Sequence, residues 1–363
     1  MHTEIRTSLN ERLADAARRG NRRDVTTAAV LMALAVLYPL LGTTFQLQLL
    51  TSGLITGMVA MSFSLLAGFG GMVSLAQMAF YGMAAYVVGI GGHDMGLPAL
   101  LTVPLAVLSA AVLAGLFGLI AVRSSGIYFL IMTLALLQMF FGVAMQWQTV
   151  TGGYNGVAGI QAPEVAGFSL GDAAPLYLVT VIVAAASYLG LRWLLRTPFG
   201  LTLQGIRDRP ERMRALGFRV QLHRWLLMVL SGVIAGLAGV LGVYYHGVVS
   251  PDVAGLTASL IVVLSALVGG VSSLVGGLIG GILVTVLISV VSYLMQQWFG
   301  TSHYWTVVGL IFVVVVKNFP NGIFGVDART RRVLERVLTR WTGAGSGGGE
   351  RAATGNGTSP QTR

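Results

Sequence analysis

The chain has 363 residues, of which 55% are hydrophobic and only 10% charged, with a mean hydropathy of +0.78. Soluble domains carry about a quarter charged residues, so these proportions exclude a water-soluble enzyme and indicate an integral membrane protein. The formal charge is +10, cysteine is absent, and the one lysine, Lys317, is followed by asparagine, which excludes disulfides, thiolate chemistry and a phosphate-binding G-x-x-x-x-G-K-[ST] loop in these residues.

Residues 1–24 form a polar leader with six arginines. Ile5, Leu9, Leu13 and Ala16 recur at helical spacing, as in a short helix lying on a membrane, and a disordered basic tail is the alternative. Val25 to Gly42 is the first apolar run, and no small-residue cleavage pattern follows it, so a signal peptide is not expected. Further apolar runs at 47–69, 74–92, 97–122, 126–147, 175–195, 225–247, 256–271, 274–295 and 303–316 each approach the roughly twenty residues a bilayer demands. The expected fold is therefore all-α: a polytopic transmembrane helical bundle of about ten spans over 25–322. Beyond it, Val333, Leu334, Val337, Leu338 and Trp341 give 323–342 the pattern of a basic interfacial helix, and the glycine-rich remainder, 343–363, reads as a disordered tail.

Charge orients the spans. With the N-terminus inside, all 23 basic residues fall in the leader, at Arg123, in the block from Arg192 to Arg224, or in the segment from Lys317 onward. The opposite segments hold only Asp94, Glu164, Asp172 and Asp252, with His93, His246 and His303. This satisfies the positive-inside rule and predicts a multi-pass cell-membrane protein with both termini cytoplasmic, a cytoplasmic loop at 196–224 and an external loop at 148–174. The basic segments match an acidic lipid surface, and no nucleic acid is expected. No Asp, Glu, Lys or Arg lies between Asp24 and Asp94 or between Asp252 and Lys317. Intramembrane charge is the usual mark of proton relays and catalysis, so no catalytic residue, metal site or cofactor is expected. His246 reads as an interfacial residue beside Ser250-Pro-Asp252, because a lone histidine has no second ligand.

Glycine is abundant, with 49 residues, and most of it serves close helix packing. Gly70-Gly-Met-Val-Ser-Leu75 is echoed by Gly269-Gly-Val-Ser-Ser-Leu274, each between two apolar runs, and transporters are often built from repeats. At Gly70, Gly71, Ser74 and Gln77 two readings stand together: plain packing, or an interrupted helix whose N-terminus meets an anionic group. Tyr128, Thr133 and Gln138 are polar positions on an apolar helix, suited to an aromatic belt, to interhelical hydrogen bonds or to solute contact. Thr151-Gly-Gly-Tyr-Asn-Gly156 is a turn-forming cluster that frees backbone N–H groups. Pro210 to Leu216 reads as a two-turn helix, with Glu211 at its positive end and Gly217 as a left-handed stop. Met213 and Leu216 then share one face, ringed by Arg207, Arg209, Arg212 and Arg214, as a docking knob for another protein; a topogenic arginine cluster is the alternative.

These motifs in order, with Gly126-Ile-Tyr-Phe129, Thr133-Leu-Ala135, Gly159-Ile160, Thr197-Pro-Phe-Gly200, Ile206-Arg-Asp208, Ala215-Leu-Gly217, Ser231 to Gly239, Val249-Ser-Pro251, Gly269-Gly270 and Asn318-Phe-Pro-Asn-Gly322, resemble the M-type permease of bacterial branched-chain amino acid ABC importers over about residues 47–326. Tyr154 departs from the Ser or Ala usual at that place in the family. The resemblance implies a permease subunit rather than an enzyme, working with a second permease subunit, two ATPase subunits and an extracytoplasmic solute-binding protein. It places ATPase coupling at Arg207, Arg209, Glu211, Arg212, Met213, Leu216 and Gly217. Thr151, Gly152, Gly153, Asn155 and Gly156 are expected at an external gate or binding-protein contact. Gly70, Gly71, Ser74, Gln77, Tyr128, Thr133 and Gln138 are expected along the substrate pathway. Import of urea or short amides is the nearest alternative; a solute channel or secondary transporter would need no ATPase.

Overall fold

A computed structural model of the protein describes residues 42–165, 168–299 and 304–318, with Pro39 and Gly322. The expected leader, first span, interfacial helix and tail, and Phe319–Asn321 of the last motif, lie outside the described residues. The regular structure of the described residues is helical, apart from two two-stranded ladders of two residues per strand.

In chain order the helices are α1 (Thr44–Ser64), α2 (Gln77–Val88), α3 (Ala99–Ala121), α4 (Ile127–Gln146), α5 (Ala173–Arg196), α6 (Pro198–Asp208), α7 (Pro210–Ala215), α8 (Val220–His246), α9 (Leu256–Gly269), α10 (Leu274–Phe299) and α11 (Tyr304–Asn318). Two of them end in π-helical turns, Leu65–Phe69 after α1 and Gly89–Asp94 after α2, a geometry frequent at functional bends. Strands β1 (Val157–Ala158), β2 (Glu164–Val165), β3 (Phe168–Ser169) and β4 (Val248–Val249) pair antiparallel as β1 with β4 and β2 with β3. Six helices among the described residues are long and apolar enough to cross a membrane, and α9 is a shorter apolar helix. The apolar runs read from the sequence thus fall on helices, but ten full spans are not what the described residues show.

Helix α1 is the axis of the bundle. Its N-terminus is closed by a reciprocal cap, with the Thr43 hydroxyl accepting from Gln46 N and the Gln46 side chain accepting from Thr43 N at 3.1 Å. It packs on α5, α8, α9 and, along most of its length, α10. The α1–α10 seam is made of glycine on both sides. A Cβ on Gly281 would lie 2.2 Å from the Gly57 backbone, and one on Gly57 would lie 2.4 Å from Leu278 O. With lipid as the solvent, such close backbone contact supplies the association that the hydrophobic effect does not. Gly57→Val is expected to separate the two helices, at a cost of about 1–3 kcal/mol or more. A thermal unfolding midpoint equal to wild type in detergent would contradict this seam.

Helix α8 carries a second small-residue stripe. A Cβ on Gly232 would meet Ala114 Cβ at 2.3 Å, and one on Gly239 would meet Tyr81 O at 2.2 Å, so α2 and α3 both lie against α8. Helix α4 is peripheral. It meets the bundle through Phe129, Thr133, Leu136 and Leu137, a stripe at i, i+4, i+7 and i+8, and leaves its remaining apolar surface outward.

Candidate functional site

The bundle has two chemically different ends. Arg123, Arg196, helices α6 and α7 and the start of α8 are joined at one end, the basic end. Asp94, the 148–172 connection, Pro251–Ala254 and the ladder of β1 with β4 form the other.

Between α1 and α2 the chain does not simply turn round at the basic end. Gly68 is there, because a Cβ on it would lie 2.2 Å from Val271 O in the α9–α10 turn. Seven residues later, Leu75 O accepts from Ser259 Oγ at 2.7 Å. Ser259 is ten residues before the end of α9 at Gly269, about 15 Å at 1.5 Å per residue. Half of a hydrocarbon core about 30 Å thick is the same distance. The non-helical segment from Gly71 to Ala76 therefore climbs back into the bundle, and α2 begins near mid-depth. Gly71 permits the reversal at φ +65°, a backbone region that a Cβ disfavours.

The buried start of α2 is held by polar groups from four other helices. Leu75 N donates to Thr133 Oγ1 on α4 at 3.1 Å, and Ala76 N donates to Ser74 Oγ at 3.2 Å. Gln77 Oε1 accepts from Ser62 Oγ on α1 at 3.0 Å and from Ser231 Oγ on α8 at 2.9 Å. Gln77, Ser62, Ser64, Ser74, Thr133, Ser231 and Ser259 are all buried. Two polar atoms of this cluster, Gln77 Nε2 and Ser64 Oγ, have no hydrogen-bond partner. An orphaned amide donor in an apolar interior is costly, and here it sits beside a helix N-terminus, itself a partial positive charge.

Immediately toward the acidic end lies a cavity of about 220 Å³. Ser52, Ile55, Thr56 and Val59 line it from α1, Met78 and Tyr81 from α2, Ala258, Ile261 and Val262 from α9, with Val253 and His246. Met78 follows Gln77, Val59 is one turn from Ser62 and Ala258 precedes Ser259, so the polar cluster neighbours this cavity along three helices without lining it. His246, exposed at the end of α8, also borders the cavity.

The expected pathway residues are only partly gathered. Gly70, Gly71, Ser74, Gln77 and Thr133 converge at the break. Tyr128, 74% exposed, and Gln138, also exposed, lie on the outward side of α4 and reach none of it. Helix α4 is apolar on every side, so its sequence gave no sign of which face turns inward. Ser62, Ser231 and Ser259 were missed, because an isolated serine in an apolar helix carries no periodic signal.

At the acidic end, the cluster from Thr151 to Gly156 is stapled rather than open. The Thr151 hydroxyl lies 2.6 Å from Ala144 O and 2.8 Å from Trp147 O, and accepts from Gly153 N at 3.3 Å. Gly152 N donates to Gln148 O and Gly156 N to Gly153 O. Freed backbone donors are therefore not what the glycines at 152, 153 and 156 supply. All three have positive φ, and a Cβ on Gly156 would lie 2.0 Å from Val249 O, so Gly156 allows β1 to meet β4. Tyr154 and Asn155 project outward.

At the basic end the arginine block contains two helices. Helix α6, which the sequence reading lacked, starts with Pro198 and buries Leu203 and Ile206; their i, i+3 spacing after a proline was the available sign. Helix α7 is Pro210–Ala215, and Gly217 at φ +87° follows it. Met213 and Leu216 do not share a face. Met213 folds back on α6, where a Cβ on Gly205 would lie 2.9 Å from its sulfur, whereas Leu216 is 65% exposed beside an exposed Phe218. Arg209, Glu211, Arg212 and Arg214 are exposed. Arg207 is exposed too, at 41%, but reaches back to donate to Gly68 O and to Asp208 Oδ1.

Residues 45–316 match the family described as "Branched-chain amino acid transport system / permease component". The high-affinity branched-chain amino acid transport system permease protein LivM of Escherichia coli K12 is 26% identical over 67% of this chain and 63% of its own length. The autoinducer 2 import system permease protein LsrC of E. coli DH10B is 26% identical over 71% and 72%. The ribose import permease protein RbsC of Haemophilus influenzae is 25% identical over 48% and 54%. The chain thus spans somewhat under two thirds of LivM. With its helical bundle and a match across three quarters of its residues, the chain belongs to the branched-chain amino acid transport system permease component family.

Proposed function

We propose that the chain is the permease subunit of an ATP-binding-cassette importer that carries branched-chain or related small aliphatic amino acids across the cell membrane. The observation that carries the solute assignment is the apolar lining of the cavity beside the polar cluster. Eight of its eleven lining residues are Ile55, Val59, Met78, Tyr81, Val253, Ala258, Ile261 and Val262, and its hydroxyl groups other than that of Tyr81 come from Ser52 and Thr56. A sugar presents a hydroxyl on nearly every carbon, and each one buried without a partner costs about 1–3 kcal/mol. An aliphatic amino acid has one apolar end for the aliphatic wall and one charged end. Its carboxylate suits the idle Gln77 amide and the α2 N-terminus.

The other parts find roles in the same scheme. The basic end faces the cytoplasm, by the positive-inside rule, and α6–α7 contacts an ATPase subunit. The stapled loop around Thr151–Gly156 meets a solute-binding protein or gates the outer mouth. The outward apolar faces, α4 among them, meet lipid and a second permease subunit. ATP-driven closure of two ATPase subunits would then move α6 and α7 as a rigid body and shift the break below the cavity.

The relatives do not separate amino acids from sugars, since permeases named for ribose and autoinducer 2 match at similar identity. Uptake of labelled leucine, ribose and urea by the complete transporter in ATP-loaded vesicles does. Leucine is expected to enter at least about ten-fold faster than either competitor, as one to two unpaired polar groups would impose. Ribose or urea entering at the leucine rate would overturn the solute assignment, and uptake without ATPase subunits would indicate a channel.

A further inference from the structure

The carbonyl groups at the end of a helix lack intrahelical donors, and the π turn that ends α1 meets this need from a distant element. Arg207, on α6, lies 139 residues beyond Gly68, and its Nη1 donates to the Gly68 carbonyl. The same guanidinium donates through Nε to Asp208 Oδ1 at 3.1 Å, which fixes the plane of the fork. Its methylene stem lies on Gly71, where a Cβ would come within 2.8 Å of Arg207 Cγ. On its other side Gly68 abuts the α9–α10 turn. The π turn that ends α1 is therefore clamped at Gly68 between a helix of the basic end and the α9–α10 turn, nine residues before α2 starts at Gln77.

We propose that Arg207 is the positioning residue that couples α6 to the break between α1 and α2, drawing on Gly68 and Gly71 when α6–α7 moves. A cation at a helix C-terminus is electrostatically favoured, and the rigid planar fork holds both partners in one fixed geometry, which a lysine on its flexible stem does not reproduce. Arg207, 41% exposed, thus ties the moving helices to the end of α1 through its guanidinium and stem, instead of serving only as a surface charge for a partner subunit. The proposal rests on the reading of α6–α7 as the ATPase-facing element.

The test is the number of solute molecules imported per ATP hydrolysed, in vesicles containing the complete transporter with Arg207→Ala or Arg207→Lys. A merely structural role would lower import and hydrolysis together and leave that ratio intact. Arg207→Ala is expected to keep its ATPase subunits through purification and to hydrolyse ATP, while the ratio falls about ten-fold, within the range of ordinary intersite coupling. Arg207→Lys is expected to lie between alanine and wild type. A wild-type ratio in either variant overturns the proposal. Loss of the ATPase subunits from the alanine variant also overturns it, because Arg207 would then belong to the intersubunit contact. Wild-type leucine uptake in the same vesicles reports on the solute assignment separately.

Discussion

Replacing Gln77 by leucine is expected to reduce leucine uptake roughly ten-fold or more, since a neutral donor to a charged acceptor contributes about 1.5–3 kcal/mol. The same change should alter stability little. Side-chain hydrogen bonds within membranes average about 0.6 kcal/mol each, and Gln77 Oε1 accepts two. Leucine fills a similar volume between α1 and α8, so the loss falls on the idle Nε2 donor and not on packing. Uptake and thermal unfolding measured on the same preparation separate the two effects. Wild-type uptake by the leucine variant would remove Gln77 from the pathway and leave its cluster a helix-packing device.

The second large effect is expected at Leu216, which stands 65% exposed at the end of α7 beside Phe218 at 42%. Burying a leucine side chain in a partner contributes about 1.5–3 kcal/mol, and a carboxylate placed in the same groove opposes docking further. Leu216→Asp should therefore give a permease that inserts and folds but co-purifies with less ATPase, or hydrolyses ATP without import. Met213→Asp should act differently. Its side chain packs on Gly205 of α6, so it would unseat α7 from α6 within the permease itself. Normal assembly and import by Leu216→Asp would return the arginine block to a purely topological role.

Hydropathy located the helices well, because an apolar run of about twenty residues has few other solutions. The glycine echo was also legible. Gly70–Leu75 and Gly269–Leu274 both fall at breaks between helices, and the two breaks touch where Gly68 meets Val271. What sequence could not give was depth and facing. Nothing in Gly71–Ala76 says that it climbs to mid-depth; that follows from Ser259 and Thr133, 184 and 58 residues from Leu75. Tyr128 and Gln138 stand on the exposed side of α4, apart from the break, and a largely apolar helix has no polar stripe to foretell that side. Met213 and Leu216 were paired on an ideal helix of two turns, but α7 stops at Ala215 and its end unwinds.

The half-depth start of α2 also bears on how the protein is made. Helix α2 with its π turn covers eighteen residues but is not among the six helices long and apolar enough to cross a membrane. Its N-terminus would expose unpaired backbone groups to hydrocarbon at several kcal/mol apiece. Two groups of its polar cradle come late, Ser231 at 154 residues downstream of Gln77 and Ser259 at 184 downstream of Leu75, and the α8 glycines that lie against Tyr81 fall between them. While α8 is still unsynthesised, α2 therefore has no stable seat, and the nascent chain must hold it beside α1 or at the translocation machinery until more than half of the polypeptide has emerged. The centre of the bundle is threaded early and locked late.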